Sequence, residues 1–149
     1  MDRKAVNVIR MPHFRGDLPA YASSGSSGMD VRAQLADAIE LLPGRRVLVP
    51  TGLCFEIPSG YEIQVRPRSG WALRDGITLL NSPGTIDSDY RGELKIIVVN
   101  LGDAPVAIRD QDRIAQLVLC PILQMELRAE ACLTQTERGT GGFGSTGRV

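Results

Sequence analysis

Three carboxylates, Asp87, Asp89 and Glu93, fall within seven residues of the segment Asn81-Ser82-Pro83-Gly84-Thr85-Ile86-Asp87-Ser88-Asp89-Tyr90-Arg91-Gly92-Glu93. Asp87 and Asp89 are two positions apart, so a strand through them carries both on one face. A carboxylate held there can take a proton from water as a general base. Gly84 and Gly92 bracket the segment as they would a hairpin leading into the apolar run that follows. A solvated turn, with Asp bonding its own backbone, has the same composition, so residue types alone leave both readings open.

A second cluster, Arg66-Pro67-Arg68-Ser69-Gly70, suits a phosphate. Arg68 offers a planar fork of donors, Ser69 a hydroxyl, and Gly70 permits close backbone approach. An ordinary strand-to-turn junction reads the same way. Gly28-Met29-Asp30-Val31, after the Ser/Gly stretch Ser23–Gly28, is ambiguous alone. So is Arg113-Ile114-Ala115-Gln116-Leu117, where a polar Gln interrupts an apolar run.

The third candidate is the Gly-rich stretch from Arg138 to Val149. Gly139-Thr140-Gly141-Gly142-Phe143-Gly144 has the letters of a dinucleotide fingerprint, but that motif needs a strand before it and a helix after it. Gly142–Gly147 imitates a phosphate-binding P-loop, with Arg148 where Lys is required. What survives is physical. Backbone N–H groups with Arg138, Ser145 and Thr146 can wrap a polyphosphate, and Phe143 can cover a flat ring. A disordered tail has this composition too.

The elements that would position these groups read as β structure. Tyr61-Glu62-Ile63-Gln64-Val65-Arg66 alternates apolar and polar, as a half-buried strand does. Val47–Val49 and Leu53–Ile57 are short apolar runs that Pro50-Thr51-Gly52 divides as a turn. Leu94–Val99 is β-branched and nearly continuous, the pattern of a central strand. Ala104–Ile108 and Ile114–Leu119 follow on either side of the polar turn Arg109–Asp112. Short strands at this spacing predict a barrel or sandwich. One segment dissents: Leu35, Ala38, Ile39 and Leu42 have helical spacing within Ala33–Leu42, before Pro43-Gly44. Trp71–Arg74 predicts a single helical turn.

Composition bounds the function. With 17 Lys+Arg against 17 Asp+Glu the chain is formally neutral, which excludes a sequence-independent binder of nucleic-acid polymers. Aromatics at 5% argue against a stacking platform for single strands. The 149 residues fit one domain, and a (β/α)₈ barrel needs about 250. No apolar run approaches the ~18 residues of a membrane span, and Met1–Val6 shows no signal-peptide pattern. Three widely spaced cysteines (Cys54, Cys120, Cys132) suit a reduced, cytoplasmic protein, and a lone His13 without Cys-x-x-Cys offers no zinc site.

In order, the five segments resemble the five motifs of the trimeric dUTP pyrophosphatases (dUTPases). Gly28–Val31 resembles the first, Pro67–Gly70 the second, Gly84–Glu93 the third and most specific, Arg113–Leu117 the fourth, and Arg138–Gly147 the fifth. The resemblance implies an all-β, jelly-roll-like distorted barrel with little helix. Residues 1–137 would form its core and 138–149 a flexible C-terminal lid. It places β structure at Ala33–Leu42 in place of the helix. It implies Mg²⁺-dependent hydrolysis of dUTP to dUMP and pyrophosphate in a homotrimer with shared active sites.

The resemblance also assigns roles. Asp87 would be the catalytic base activating water against the α-phosphorus. Asn81 and the backbone of Thr85, Ile86 and Asp87 would read uracil, whose edge differs from that of cytosine by a donor. Tyr90 would pack under deoxyribose, with Lys95 lining the pocket. Arg68, Ser69, Gly70 and Gln116 would hold the phosphates, and Asp30 would reach Mg²⁺ through water. From another subunit, Phe143 would stack on uracil, with Arg138, Gly144, Ser145 and Thr146 toward the γ-phosphate. Departures from the family pattern are Met29, Ser26-Ser27, Trp71, Thr140 and Ser145, none at a proposed catalytic group. Two rivals share the scaffold: a dCTP deaminase, whose catalytic Glu replaces the hairpin Asp, and a non-catalytic nucleotide-binding trimer.

Overall fold

Strand-forming patterns dominate the chain, and the computed structural model, which describes residues 3–143 and 145, assembles them into three sheets. The strands are β1 (Asn7–Arg10), β2 (Met29–Arg32), β3 (Ile39–Leu41), β4 (Arg46–Glu56), β5 (Tyr61–Arg66), β6 (Ile77–Leu79), β7 (Gly84–Ile86), β8 (Glu93–Asn100), β9 (Val106–Ile108) and β10 (Arg113–Pro121), with one helix, α1 (Ser69–Asp75). One four-stranded sheet runs β1-β4-β8-β6, the other β2-β10-β5-β7, and β3 pairs with β9. All pairings are antiparallel.

The inner faces of the two large sheets share one core. Val49, Leu53, Leu94, Ile96 and Val98 come from one sheet, and Val31, Ile63, Val65, Ile114 and Leu117 from the other. Each fully buried aliphatic side chain of this kind contributes roughly 1.5–3 kcal/mol. The alternation in β5 buries Ile63 and Val65, as the sequence pattern requires, and β8 is an interior strand between β4 and β6. This is the jelly-roll-like, nearly helix-free architecture that the five motifs imply.

Three local expectations change. Ala33–Leu42 holds no helix, against its apolar spacing and in line with the resemblance: its strand is β3, and Ala33, Gln34 and Leu35 are all buried. The apolar spacing there is coincidental, because the segment buries residues on more than one side. Pro50-Thr51-Gly52 does not divide two strands. It lies inside β4, where the pairing with β8 jumps from Pro50↔Lys95 to Cys54↔Glu93. Two extra residues in β4 make a bulge, with Gly52 at φ 67 and Thr51 Oγ1 donating to Leu94 O at 2.6 Å. Lastly, Gly84–Glu93 is no hairpin. β7 pairs with β5, whereas β8 pairs with β4 and β6, so the segment is an arch from one sheet to the other.

The helical turn at Trp71–Arg74 is present within α1, which ends at Gly76 in the left-handed conformation at φ 67. Gly76 packs on Gly102: a Cβ added at Gly76 would lie 2.5 Å from the Gly102 nitrogen. Beside them the buried Asn100 amide donates to Leu41 O (2.9 Å) and Ala104 O (2.8 Å) and accepts from Gly102 N–H (2.9 Å). Leaving such a buried group unpaired costs about 1–3 kcal/mol.

Candidate active site

The motif residues fall into two groups, one on the β2-β10-β5-β7 sheet and one where the β7 edge of that sheet meets β8 of the other. In the first group, Gln116 on β10 lies opposite Asp30 on β2 and opposite Arg66 on β5. Arg68, two residues past the end of β5, turns back so that its Nε lies 3.0 Å from Asp30 Oδ1. Gln116 Nε2 reaches the same oxygen at 3.4 Å, and Arg113 Nη1 reaches Oδ2 at 3.3 Å. Asp30 therefore holds Arg68, Arg113 and Gln116 in one cluster. Ser69 and Gly70 follow as exposed residues opening α1. A cleft of about 300 Å³ beside them is lined by Ser26, Ser27, Gly28, Asp30 and Gln116, among others. Residues from the first, second and fourth motifs thus converge here.

The second group surrounds a cleft of about 410 Å³ lined by Thr85, Ile86, Asp87, Tyr90 and Lys95, with Leu48, Glu93 and Ile97. Here β7 is an edge strand. Beyond it no strand among the described residues pairs with its outer side, so part of its backbone is open to a ligand. Asp87 is exposed and follows the last residue of β7. A tight turn comes next, with Tyr90 N–H to Asp87 O at 3.2 Å. Arg91 Nη1 fastens it by donating to Ser88 O (2.6 Å) and Tyr90 O (3.1 Å). The Tyr90 hydroxyl donates to Glu93 O at 3.0 Å. It passes so near Gly92 that an added Cβ would collide with it, which explains the glycine.

Glu93 was legible only as one of three clustered carboxylates, and its place in this cleft was not foreseen. The signal available was alternation: as the first residue of β8 it stands two positions before Lys95. Its side chain is 11% exposed, pairs with Lys95 Nζ at 3.6 Å and with His13 Nε2 at 2.9 Å, and accepts Gly52 N–H at 2.9 Å. Burial pushes its carboxyl up, but Gly52 N–H, His13 and Lys95 outweigh this and hold it below the usual 4.5.

Asn81 is exposed in the turn after β6, with its amide near Gly84, at the start of β7 and outside the lining of the 410 Å³ cleft. Arg138, Phe143 and Ser145 are exposed and line neither cleft. Arg138 Nε donates to Gly141 O at 2.8 Å. Gly144 and Thr146 lie outside the described residues. Among the described residues no cluster of three His, Cys, Asp or Glu could cage a metal ion. The donor chemistry at Asp30, a single carboxylate at the edge of a polar cleft, fits Mg²⁺ held mainly by water and phosphate oxygens.

The dUTPase family profile matches residues 15–147. The chain belongs to the dUTPase family. Over all 149 residues of both chains, this dUTPase is 61% identical to the deoxyuridine 5'-triphosphate nucleotidohydrolase of Bdellovibrio bacteriovorus. It is 57% identical over 145 residues to the enzyme of that name from Brucella melitensis, covering 95% of this chain and 92% of the other. Among solved structures it is similar to the dUTPase of Staphylococcus bacteriophage 80alpha with dUPNHPP, at TM-score 0.86 and 25% identity, covering 97% of this chain and 99% of the phage chain. A mutant dUTPase of phage phi11 of S. aureus, described with a structural Mg(II) ion, shares the fold at TM-score 0.77 and 22% identity, covering 89% of this dUTPase and 100% of that chain.

Proposed function

We infer that this chain hydrolyses dUTP to dUMP and pyrophosphate. The observation that carries the reading is the position of Asp87, one residue beyond the open edge of β7 and in one cleft with Tyr90 and Lys95. In this reading the β7 backbone around Thr85 and Ile86, with Asn81, pairs with uracil as a neighbouring strand would. Cytosine presents a donor where uracil has an acceptor, and the unpaired donors reject it. Tyr90 packs under deoxyribose. Asp87 takes the proton of the water that attacks the α-phosphorus. Arg68, Ser69, Gly70 and Gln116 hold the phosphates, releasing Arg68 from Asp30 as they do so. Asp30 would then hold Mg²⁺ through water, and the metal would supply positive charge to offset that developing at phosphorus.

The site is built from more than one copy of the chain. Along β5, Val65 pairs with Gly84 and Ile63 with Ile86, while Gln116 pairs with Arg66. Asp87 is therefore separated from Gln116 by about 13 Å along the strands and two strands across. A nucleotide with its base on β7 and its α-phosphorus at Asp87 would aim its phosphates away from Arg68 of the same chain. A homotrimer in which one copy supplies Asp87 and the next supplies Arg68 resolves the polarity. A third copy's arm then closes over the nucleotide, with Phe143 on uracil and Arg138, Gly144, Ser145 and Thr146 at the γ-phosphate. The core would span residues 1–137 and the lid 138–149. No described helix is long and apolar enough to cross a membrane, and three free cysteines suit a reducing cytoplasm.

The test is a product assay with Mg²⁺. Pyrophosphate from dUTP and no ammonia from dCTP is the expected result. Ammonia without pyrophosphate would transfer the chain to the deaminase reading.

A further inference from the structure

Lys95 stands in a cleft with two carboxylates, Asp87 and Glu93, and is paired with Glu93. Lysine is a flexible point charge, so its position depends on how firmly its partner is held. Glu93 is held from two other elements. Its Oε1 accepts the Gly52 N–H, which the β4 bulge turns away from any strand partner, and meets His13 Nε2. Its Oε2 faces Lys95. The bulge is itself pinned, since Met11 N–H donates to Gly52 O at 2.8 Å and a Cβ on Gly52 would press on Phe14 at 3.1 Å. The N-terminal segment Met11–Phe14, the β4 bulge and the first residue of β8 thus converge on one carboxylate.

We propose that Glu93, anchored by Gly52 and His13, is the positioning residue for Lys95, keeping its ammonium at the nucleotide and off Asp87. The proposal rests on the dUTPase reading and gives roles to two residues that the resemblance leaves without one: Glu93, at the end of the third motif, and His13, outside all five. Glu93 touches no reacting atom; it acts through Lys95. Once Glu93 loses its charge, the carboxylate left for Lys95 in this cleft is Asp87, and a paired base is a weaker base. His13 contributes by fixing Glu93 Oε1, leaving Oε2 to Lys95.

The experiment is a double-mutant cycle on the full chain with dUTP and Mg²⁺. Glu93→Gln keeps an acceptor for Gly52 N–H while removing the charge, and is expected to lower kcat/KM about tenfold with an unchanged melting temperature. Lys95→Met alone lowers it by a few-fold, and Glu93→Gln adds nothing further when Lys95 is already replaced. His13→Gln, which leaves the bulge bonded to Glu93, lowers kcat/KM about threefold in the same Lys95-dependent way. If Glu93→Gln reduces kcat/KM equally with and without the Lys95→Met change, the residue is merely structural and the proposal falls. An unchanged kcat/KM in Glu93→Gln or in His13→Gln overturns it as well. Should Glu93→Gln fail to fold, the His13→Gln arm decides by the same criterion. Absence of dUTP hydrolysis in the unmodified enzyme is a different result, since it removes the underlying reading itself.

Discussion

Asp87 shows how far single residues could be read. Its chemistry was plain from its type, but its surroundings were not, because a carboxylate two positions from another is equally at home in a solvated turn. The fold supplies what spacing lacked: an open strand edge before it and Tyr90 and Lys95 across the same cleft. Asp87→Asn keeps the size and the turn but cannot take a proton. Turnover should fall by about 10²–10⁴, with the affinity for a non-hydrolysable dUTP analogue within about threefold of the unmodified protein. Turnover at the original rate would remove Asp87 as base. A second residue-scale prediction concerns acid. Asp110 accepts Leu35 N–H at 2.9 Å and pairs with Arg15 at 2.9 Å, which holds its carboxyl below the usual 3.8. Because the folded value is the depressed one, its contribution is present above the unfolded value and is lost as pH falls through the folded value. Asp110→Asn should therefore lower the melting temperature at pH 7, and the gap to the unmodified chain should narrow as the pH falls below 3.8 and through the depressed folded value.

Elements were legible where burial follows a simple period. β5 alternates and was read directly; β8 is apolar nearly throughout because both its neighbours and the core cover it. The failures share a cause, which is that tertiary geometry reassigned a local signal. Pro50-Thr51-Gly52 has turn chemistry, yet the bulge uses Gly52 to turn its N–H onto Glu93. The glycine-bracketed acidic segment looks like a hairpin, yet its two ends belong to different sheets. Beyond β10 there is no regular element among the described residues, and Leu123, Met125, Leu127 and Phe143 are all exposed. An arm without a core of its own should be dispensable for folding and necessary for closure. Deleting Arg138–Val149 should leave the melting temperature within a few degrees and the oligomer intact, while cutting kcat/KM by at least about 10². Unfolding of the truncated chain would make the arm structural.

At the scale of the molecule, the 17-to-17 charge balance argues against a sequence-independent binder of nucleic-acid polymers and says nothing about how charge is sorted. Arg68, Arg113 and Asp30 sit at one end of the sheet, while Asp87, Glu93 and Lys95 sit where the other end meets β8. That separation makes a strong prediction. In the proposed homotrimer, Arg68→Gln and Asp87→Asn should each abolish activity. If one site needs Arg68 from one copy and Asp87 from the next, co-assembling the two inactive chains must rebuild intact sites. In randomly mixed trimers at equal amounts, the two intact contributions meet in about a quarter of sites, so about a quarter of the unmodified rate should return. The mixture should be refolded or coexpressed, and each chain assayed alone beside it. A site completed within one chain gives no recovery, because every chain then carries a defect in its own site. Recovery near one quarter fixes both the sharing and the assignment of Arg68 and Asp87 to opposite sides of it. Recovery only after chains exchange would further show that the halves do not meet within a single subunit, as proposed from the register of β7 and β10 on β5.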